Sequence, residues 1–271
     1  MWFKIIALVG SGVKPRIRKM LEDREPLILA IETSTRAGSV SLARGVEVLS
    51  AVLGDGASSH STDLIENIER VLREGNAKLS DIDLFAVTVG PGSFTGLRIG
   101  LATVKAFGAC LKKPCLPVST LAAIAHAAGD SEMTASILPA GRGEVYAQAF
   151  SVRAEIVSAL DTASHLKPAE LLEKYGNART LRWAGEGAHQ HLATLRRGGI
   201  VNWITSGEGE PAGAQVGWSV APQPTYLANS VAFLALTDYR DGKAIDTSQL
   251  RANYVRASDA ETNQRWLQLN S

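Results

Sequence analysis

Residues 27–53 read LILAIETSTRAGSVSLARGVEVLSAVL. Leu27–Ile31 is a continuous apolar run, the pattern of a strand buried on both faces. Glu32–Gly38 is a polar turn, Ser39–Ala43 alternates polar and apolar, and Arg44-Gly45 turns the chain into Val46–Leu53. Three strands joined by short turns form a meander. A simple doubly wound fold would alternate strand and helix from the start, so this opening speaks against one.

Downstream, Thr62–Glu74 carries Leu64, Ile65, Ile68, Val71 and Leu72 on the stripe of an amphipathic helix, with Gly75 just past its end. Asp83–Val89 predicts a strand, Gly90–Thr95 a loop, Gly96–Leu111 a helix, Cys115–Val118 a short strand and Thr120–Ala128 a third helix. The order then returns. Thr134–Leu138, Glu144–Val152 and Glu155–Leu160 predict strands, Lys167–Tyr175 a helix, Thr180–Ala184 a strand, Ala188–Arg196 a helix and Ile200–Ile204 a strand. Ser206–Pro224, rich in Gly, Pro and Ser, predicts a loop, and Thr225–Tyr239 a final helix. The topology repeats without a residue-level repeat. Two βββαβα units side by side are the plan of an α/β, two-lobed, actin-like (ASKHA, ribonuclease-H-like) fold. The expected division is an extension outside the fold (1–26), a first lobe (27–118), a second lobe (119–224), a C-terminal helix (225–241) and a tail (242–271).

Lys and Arg total 28 and Asp and Glu 27, a net charge of +1 over 271 residues. That balance excludes a strongly basic chain that grips nucleic acid by itself. Two cysteines, Cys110 and Cys115, are too few for a disulfide framework and fit a reducing compartment, the cytoplasm. No uninterrupted apolar stretch is long enough to span a membrane, so no membrane role is expected. Near the N-terminus Lys4 interrupts the apolar residues, and Lys14, Arg16, Arg18 and Lys19 follow them, whereas a secretory signal has its charge first. A short secretory signal is the alternative to an extension, and Met20 is an alternative start.

The segment Val87–Gly100, VTVGPGSFTGLRIG, combines strand, glycine-rich loop and helix. Glycines let backbone N–H groups approach an anion at a helix N-terminus. The spacing fails both phosphate motifs: Leu97-Arg98 follows Gly96 where a P-loop needs Lys-Ser/Thr, and the glycines are G-x-G-x-x-x-G. The alternative is a tight connection that packs a helix closely on its sheet. Glu32-Thr33-Ser34-Thr35 sits where a carboxylate would hold Mg²⁺ through water, or where a hydrogen-bonded turn would form. His60 is followed four residues later by Leu64, which cannot complete a two-histidine metal site. His189 and His191 point to different faces of their helix and are expected in solvent. His126 and His165 have no sequence companions. No nucleophile elbow or H-E-x-x-H is present.

Four segments together resemble one family: Ile28–Ser41 (ILAIETSTRAGSVS), His60–Gly108 with GPGSFTGLRIG at its centre, Gly143-Glu144-Val145-Tyr146, and Tyr254–Glu261. This is similar to the TsaB (YeaZ-like) family of bacterial tRNA threonylcarbamoyladenosine biosynthesis proteins. The resemblance implies the actin-like fold and a non-catalytic role. It implies pairing with a TsaD-like subunit that transfers threonylcarbamoyl to N6 of adenosine 37 in tRNAs reading ANN codons. A TsaE-like ATPase would join the pair, and tRNA would be met through the complex. No cofactor is expected in this chain; ATP and a metal belong to the partner subunits. In the TsaD-like paralogue an H-x-x-x-H pair holds the metal, and the matching positions here are His60 and Leu64. A departure lies at Pro139, Ala140 and Gly141, where the family often has Asp-Ala-Arg; Arg142 comes one place later. The rival classes are an active actin-like ATP-dependent enzyme or metallopeptidase, and a homodimeric binding module. A homodimer is also expected when the TsaD-like partner is absent.

The expected partner surface is the helix pair. It comprises Leu64, Ile65, Ile68, Val71 and Leu72 on the first helix, and Gly96, Leu97, Gly100, Leu101, Val104 and Phe107 on the second. At about 100° per residue, Arg98 and Lys105 share one strip with Ala102 and Ala109. Leu97, Leu101, Val104 and Leu111 lie on one side of it, and Ile99, Ala106, Phe107 and Cys110 on the other. More than half the circumference is apolar or small, so burial on two sides follows. A four-helix bundle with the partner is one outcome, and burial of both faces within this chain is the other. On the first, Ile68→Glu or Val104→Arg abolishes the heterodimer and spares the fold.

Overall fold

β1 (Leu27–Glu32) lies at the centre of the first sheet because both of its faces are apolar: Leu27, Leu29 and Ile31 enter one core, Ile28 and Ala30 the other. The computed structural model describes residues 25–56, 60–197, 203–204 and 217–255. β1 pairs antiparallel with β2 (Ser39–Arg44), which pairs antiparallel with β3 (Glu47–Leu53). On its other side it runs parallel to β4 (Leu84–Gly90), which is parallel to β5 (Cys115–Ser119), so the order is β3-β2-β1-β4-β5. Helices α1 (His60–Glu74) and α2 (Phe94–Leu111) cover one face. α3 (Thr120–Ala127) follows β5, with the Ser119 hydroxyl accepting the Ala122 N–H at 3.3 Å as its N-cap.

The second sheet repeats the plan. β6 (Ser131–Gly141), β7 (Glu144–Arg153) and β8 (Ile156–Ala159) form the meander, and β9 (Ser164–Leu166) also pairs with β7. Then come α4 (Glu170–Tyr175), β10 (Thr180–Ala184), the short α5 (Glu186–Gln190) and α6 (Leu192–Arg197), β11 (Trp203–Ile204), β12 (Gly217–Val220) and α7 (Leu227–Arg240). The order is β11-β12-β10-β6-β7-β8.

The last helix of each half packs against the other half's sheet. α3 lies on β6, β7 and β8, whereas α7 lies on β1 and β2 and crosses α3. The core between the sheets therefore mixes Ile28, Ala30 and Leu116 with Ile124, Phe150, Val231 and Leu236. Residues 243–255, expected as tail, return along the first lobe as a strap. Ile245 exchanges backbone hydrogen bonds with Cys115 (3.0 and 2.9 Å), Leu250 is fully buried, and the Asn253 N–H donates to Val89 O at 2.7 Å.

Four expectations need correction. The region 206–224, expected as loop, contains β12, and β12 rather than Ile200–Ile204 holds the place that β5 holds in the first sheet. Trp218 is the reason: it is fully buried, stacks edge-on against Trp183 at 5.4 Å and donates its indole N–H to Ala178 O at 3.0 Å. Residues 198–202 and 205–216 lie outside the described residues, as do 1–24 and 256–271. α4 starts at Glu170, where the Glu170 carboxylate accepts the Lys167 N–H at 2.6 Å. The helix expected over Ala188–Arg196 is two, separated at His191, whose φ of −108° is not helical. His189 is not solvated in the expected sense, because its Nε2 bonds Ala221 O at 2.9 Å.

Candidate functional site

The turn after β1 and the loop after β4 meet at the lip of a cleft of about 430 Å³ between the lobes. Ser34, Thr35, Arg36, Ser93, Thr95 and Gly96 line it from the first lobe; Leu138, Pro139 and Glu186 line it from the second. Glu32 is buried, and both its oxygens are engaged. Oε1 accepts from the Ser34 N–H and hydroxyl, both at 2.6 Å, and the Thr35 N–H at 2.8 Å; Oε2 accepts from the Thr35 hydroxyl at 2.7 Å. The carboxylate holds its own turn, the hydrogen-bonded alternative of the two drawn from sequence.

The glycine loop is a close connection. A side chain at Gly92 would lie 2.6 Å from the Ser34 backbone oxygen, and one at Gly90 2.6 Å from Asn253 O. The Ser93 N–H donates to Ser34 O at 2.8 Å. The Ser93 hydroxyl accepts the Gly96 N–H at 3.2 Å as the N-cap of α2, and Ser93 O accepts the Leu97 N–H at 2.9 Å. The N–H groups of Ser93, Gly96 and Leu97 are thus taken by the chain itself. Among the described residues no lysine lines the cleft, and Arg36 Nε donates to Gly56 O at 3.2 Å. These residues do not fit the nucleotide and magnesium that the fold family implies.

The metal of the H-x-x-x-H pair fares no better. Leu64 is buried among the first-lobe core residues and offers no ligand atom. Among the described residues, no group of three His, Cys, Asp or Glu converges on a metal-sized site. In the second lobe, the departure at Pro139–Gly141 ends β6 in a two-residue hairpin: Gly141 pairs with Glu144, and Arg142 and Gly143 have φ of 53° and 76°. His126 and His165 find partners through the fold. His126 Nδ1 lies 3.0 Å from Ser230 Oγ with its ring on Phe233, and His165 Nε2 lies 3.0 Å from Glu144 Oε2. Burial lowers the His126 pKa and pushes the Cys115 thiol up to about 11.

The helix pair sorts differently from expectation. Leu64, Ile68, Val71 and Leu72 of α1 and Gly96, Leu97, Gly100, Leu101 and Val104 of α2 are buried within this chain. Ile68 is 2% exposed and Val104 0%, so neither presents a side chain to a partner. Gly100 admits Thr33 of the same chain, and Gly108 admits Thr247 of the strap. Phe107 is half-buried, its ring 6.0 Å from Phe85. Ile65, 49% exposed, is the one large apolar residue of the expected set that stands out. The outward surface of α2 is instead the row Arg98, Ala102, Ala106, Ala109 and Cys110, with Ile99 and Thr103 half-buried beside it. Branched side chains went to the sheet, where they bury more area, and the alanines were left outside.

α2 is long and apolar enough to cross a membrane by length and composition alone. Its Leu97, Leu101 and Val104 row packs into the first-lobe core, and Arg98 and Lys105 interrupt the rest. Sequence reasoning missed Phe94 and Tyr254, whose rings meet at 5.3 Å beside the glycine loop. Both lie in segments that carried the family resemblance, but nothing in their spacing joins positions so far apart.

A family profile described as TsaD, tRNA N6-adenosine threonylcarbamoyltransferase, matches residues 55–238. The chain belongs to the TsaD family. An uncharacterized protein of Mycobacterium tuberculosis is 30% identical to it over 205 residues, 73% of this chain and 88% of that protein. The tRNA threonylcarbamoyladenosine biosynthesis protein TsaB of Haemophilus influenzae is 37% identical over 125 residues, 44% of this chain and 51% of TsaB. This chain thus matches about half the length of that TsaB. The fold is that of YeaZ from Pseudomonas aeruginosa, with a TM-score of 0.66 at 22% identity over 84% of this chain and 99% of YeaZ. Within the TsaD family, this chain has leucine at position 64 and a turn closed by its own carboxylate.

Proposed function

We propose that this chain acts in forming N6-threonylcarbamoyladenosine on tRNA, as a non-catalytic subunit that binds a TsaD-like catalytic partner through the outer faces of α1 and α2. Ile65, Ala102, Ala106 and Ala109 provide the contact, and small residues let the partner's helices come close enough for a bundle. The observation that supports this reading is a long apolar helix with one face buried and a small-residue face left in water. The unfit metal position and the self-capped turns favour a supporting role over chemistry. The metal and ATP then belong to the partner and to a TsaE-like ATPase, tRNA is met through the complex, and the setting is the cytoplasm. A homodimer through the same face would form when the partner is absent.

Co-purification with the cognate TsaD-like protein tests the reading. Ala106→Arg or Ile65→Arg is expected to weaken the heterodimer at least about thirtyfold while leaving the monomer folded. Unchanged binding by both variants would refute it.

A further inference from the structure

We propose that Phe94, Arg98 and Tyr254 form a preorganised anchor for the partner subunit, so that the C-terminal strap is part of the binding surface. This rests on the reading of α2 as the partner face. The Arg98 guanidinium lies 3.8 Å from the Phe94 ring centre, and the Tyr254 ring lies 5.3 Å away, tilted by 37°. The three side chains make a stack at the first turn of α2. Phe94 is 36% exposed and Tyr254 42%, an unusual amount of aromatic surface to leave in water.

The stack is held from below. Asn253 donates to Val89 O, its own carbonyl oxygen occupies the space that a side chain at Gly90 would need, and Leu250 is buried in the first-lobe core. Ordered rings and an ordered guanidinium lose little further freedom on binding, which favours affinity. Aromatic residues and arginine are also the types that dominate interface energetics.

Continuity names the occupant. Arg98 stands on the same strip of α2 as Ala102, Lys105 and Ala109, so a partner lying on that strip reaches the stack. α2 contains no Asp or Glu. The matching partner patch therefore offers an apolar pocket for the rings and a carboxylate for Arg98. Unpaired RNA bases also stack on aromatic and guanidinium planes. Here, however, Phe94 is already packed against both Arg98 and Tyr254, and the chain as a whole is nearly neutral.

The test is titration calorimetry of the full chain with its TsaD-like partner. Phe94→Ala, Tyr254→Ala and Arg98→Ala are each expected to weaken binding about tenfold or more with an unchanged melt. Arg98→Lys, which keeps the charge and loses the planar stack, is expected to fall between Arg98→Ala and the wild type. Arg98 is exposed, so it carries the test alone if an aromatic variant fails to fold. Binding within twofold of wild type for all three alanine variants, alongside loss with Ala106→Arg, would overturn the anchor and keep the partner face. Unchanged binding by Ala106→Arg would instead overturn the underlying reading. Loss confined to tRNA binding by the intact heterodimer, or to self-association of this chain, would assign the stack to RNA or to a second copy and overturn the proposal.

Discussion

α2 and α7 are both apolar helices that pack on the first sheet, on opposite faces, and they end up in different circumstances. α7 buries seven of its fourteen residues because it lies between the two sheets and crosses α3. α2 is longer, yet only six of its eighteen residues are buried. A sheet covers one stripe of a helix, and a second layer is needed to cover another. For α7 the chain supplies that layer. Among the described residues none supplies it for α2, and the alanine row is exposed. The contrast separates residues that hold this chain together from residues free to hold something else.

The sharpest way to break the comparison is to place one charge on each face of α2. Val104→Arg puts an unpaired charge into the first-lobe core and is expected to cost at least about 4 kcal/mol, read as loss of the cooperative melt. Ala106→Arg, two residues on, is expected to change stability by no more than about 0.5 kcal/mol. Equal losses would erase the distinction between the faces. The earlier expectation that Val104→Arg spares the fold fails on the same ground.

On α7, Leu236→Ala removes a buried side chain from the core between the sheets and is expected to cost about 3 kcal/mol in urea unfolding. A loss no larger than that of an exposed substitution would show that the second layer does little for α7. Gly100→Ala sharpens the comparison on the buried side of α2. The added methyl meets the Thr33 hydroxyl, and the expected cost is about 1–3 kcal/mol. A neutral substitution would mean that α2 sits less closely on the turn.

The smallest effect concerns the α3–α7 crossing. Burial lowers the His126 pKa beside Ser230 and Phe233 of α7, with Glu155 opposing that shift through its charge. Its pKa in the fold lies below the ordinary 6.5. Below pH 6.5 the unfolded chain therefore takes up this proton before the folded one does. Stability is full above that pH and declines as pH falls toward the folded value. His126→Phe is expected to reduce the loss of stability between pH 7.5 and 5.5, measured as the difference from wild type. Parallel pH profiles for the two proteins would remove His126 from the account.

The central strands of the first sheet were legible because β1 is apolar at every position but its last and β4 is apolar apart from Thr88 and its closing Gly90. β12 was hidden because four residues among glycines and prolines give no period, and only Trp218 hints at burial. The helical wheel of α2 found two apolar sides. It could not say which side faces the sheet, because that depends on what surrounds the helix. The exchange of α3 and α7 between halves, and the meeting of Tyr254 with Phe94, are long-range contacts with no local signature. The two helices were therefore legible as elements, and the residues that each turns outward were not.

The crossing of α7 into the first lobe also sets an order of assembly at the ribosome. Synthesis delivers β1 to β5 early, with Ile28, Ala30, Leu84, Ala86 and Leu116 bare on one face of the sheet. The helix that covers them comes only after the whole second sheet. At roughly 5–20 residues per second, the nascent first lobe waits on the order of ten seconds for its cover. During that interval its exposed face is a target for holdase chaperones. Growth conditions that slow translation lengthen that exposure, without any change in the finished molecule.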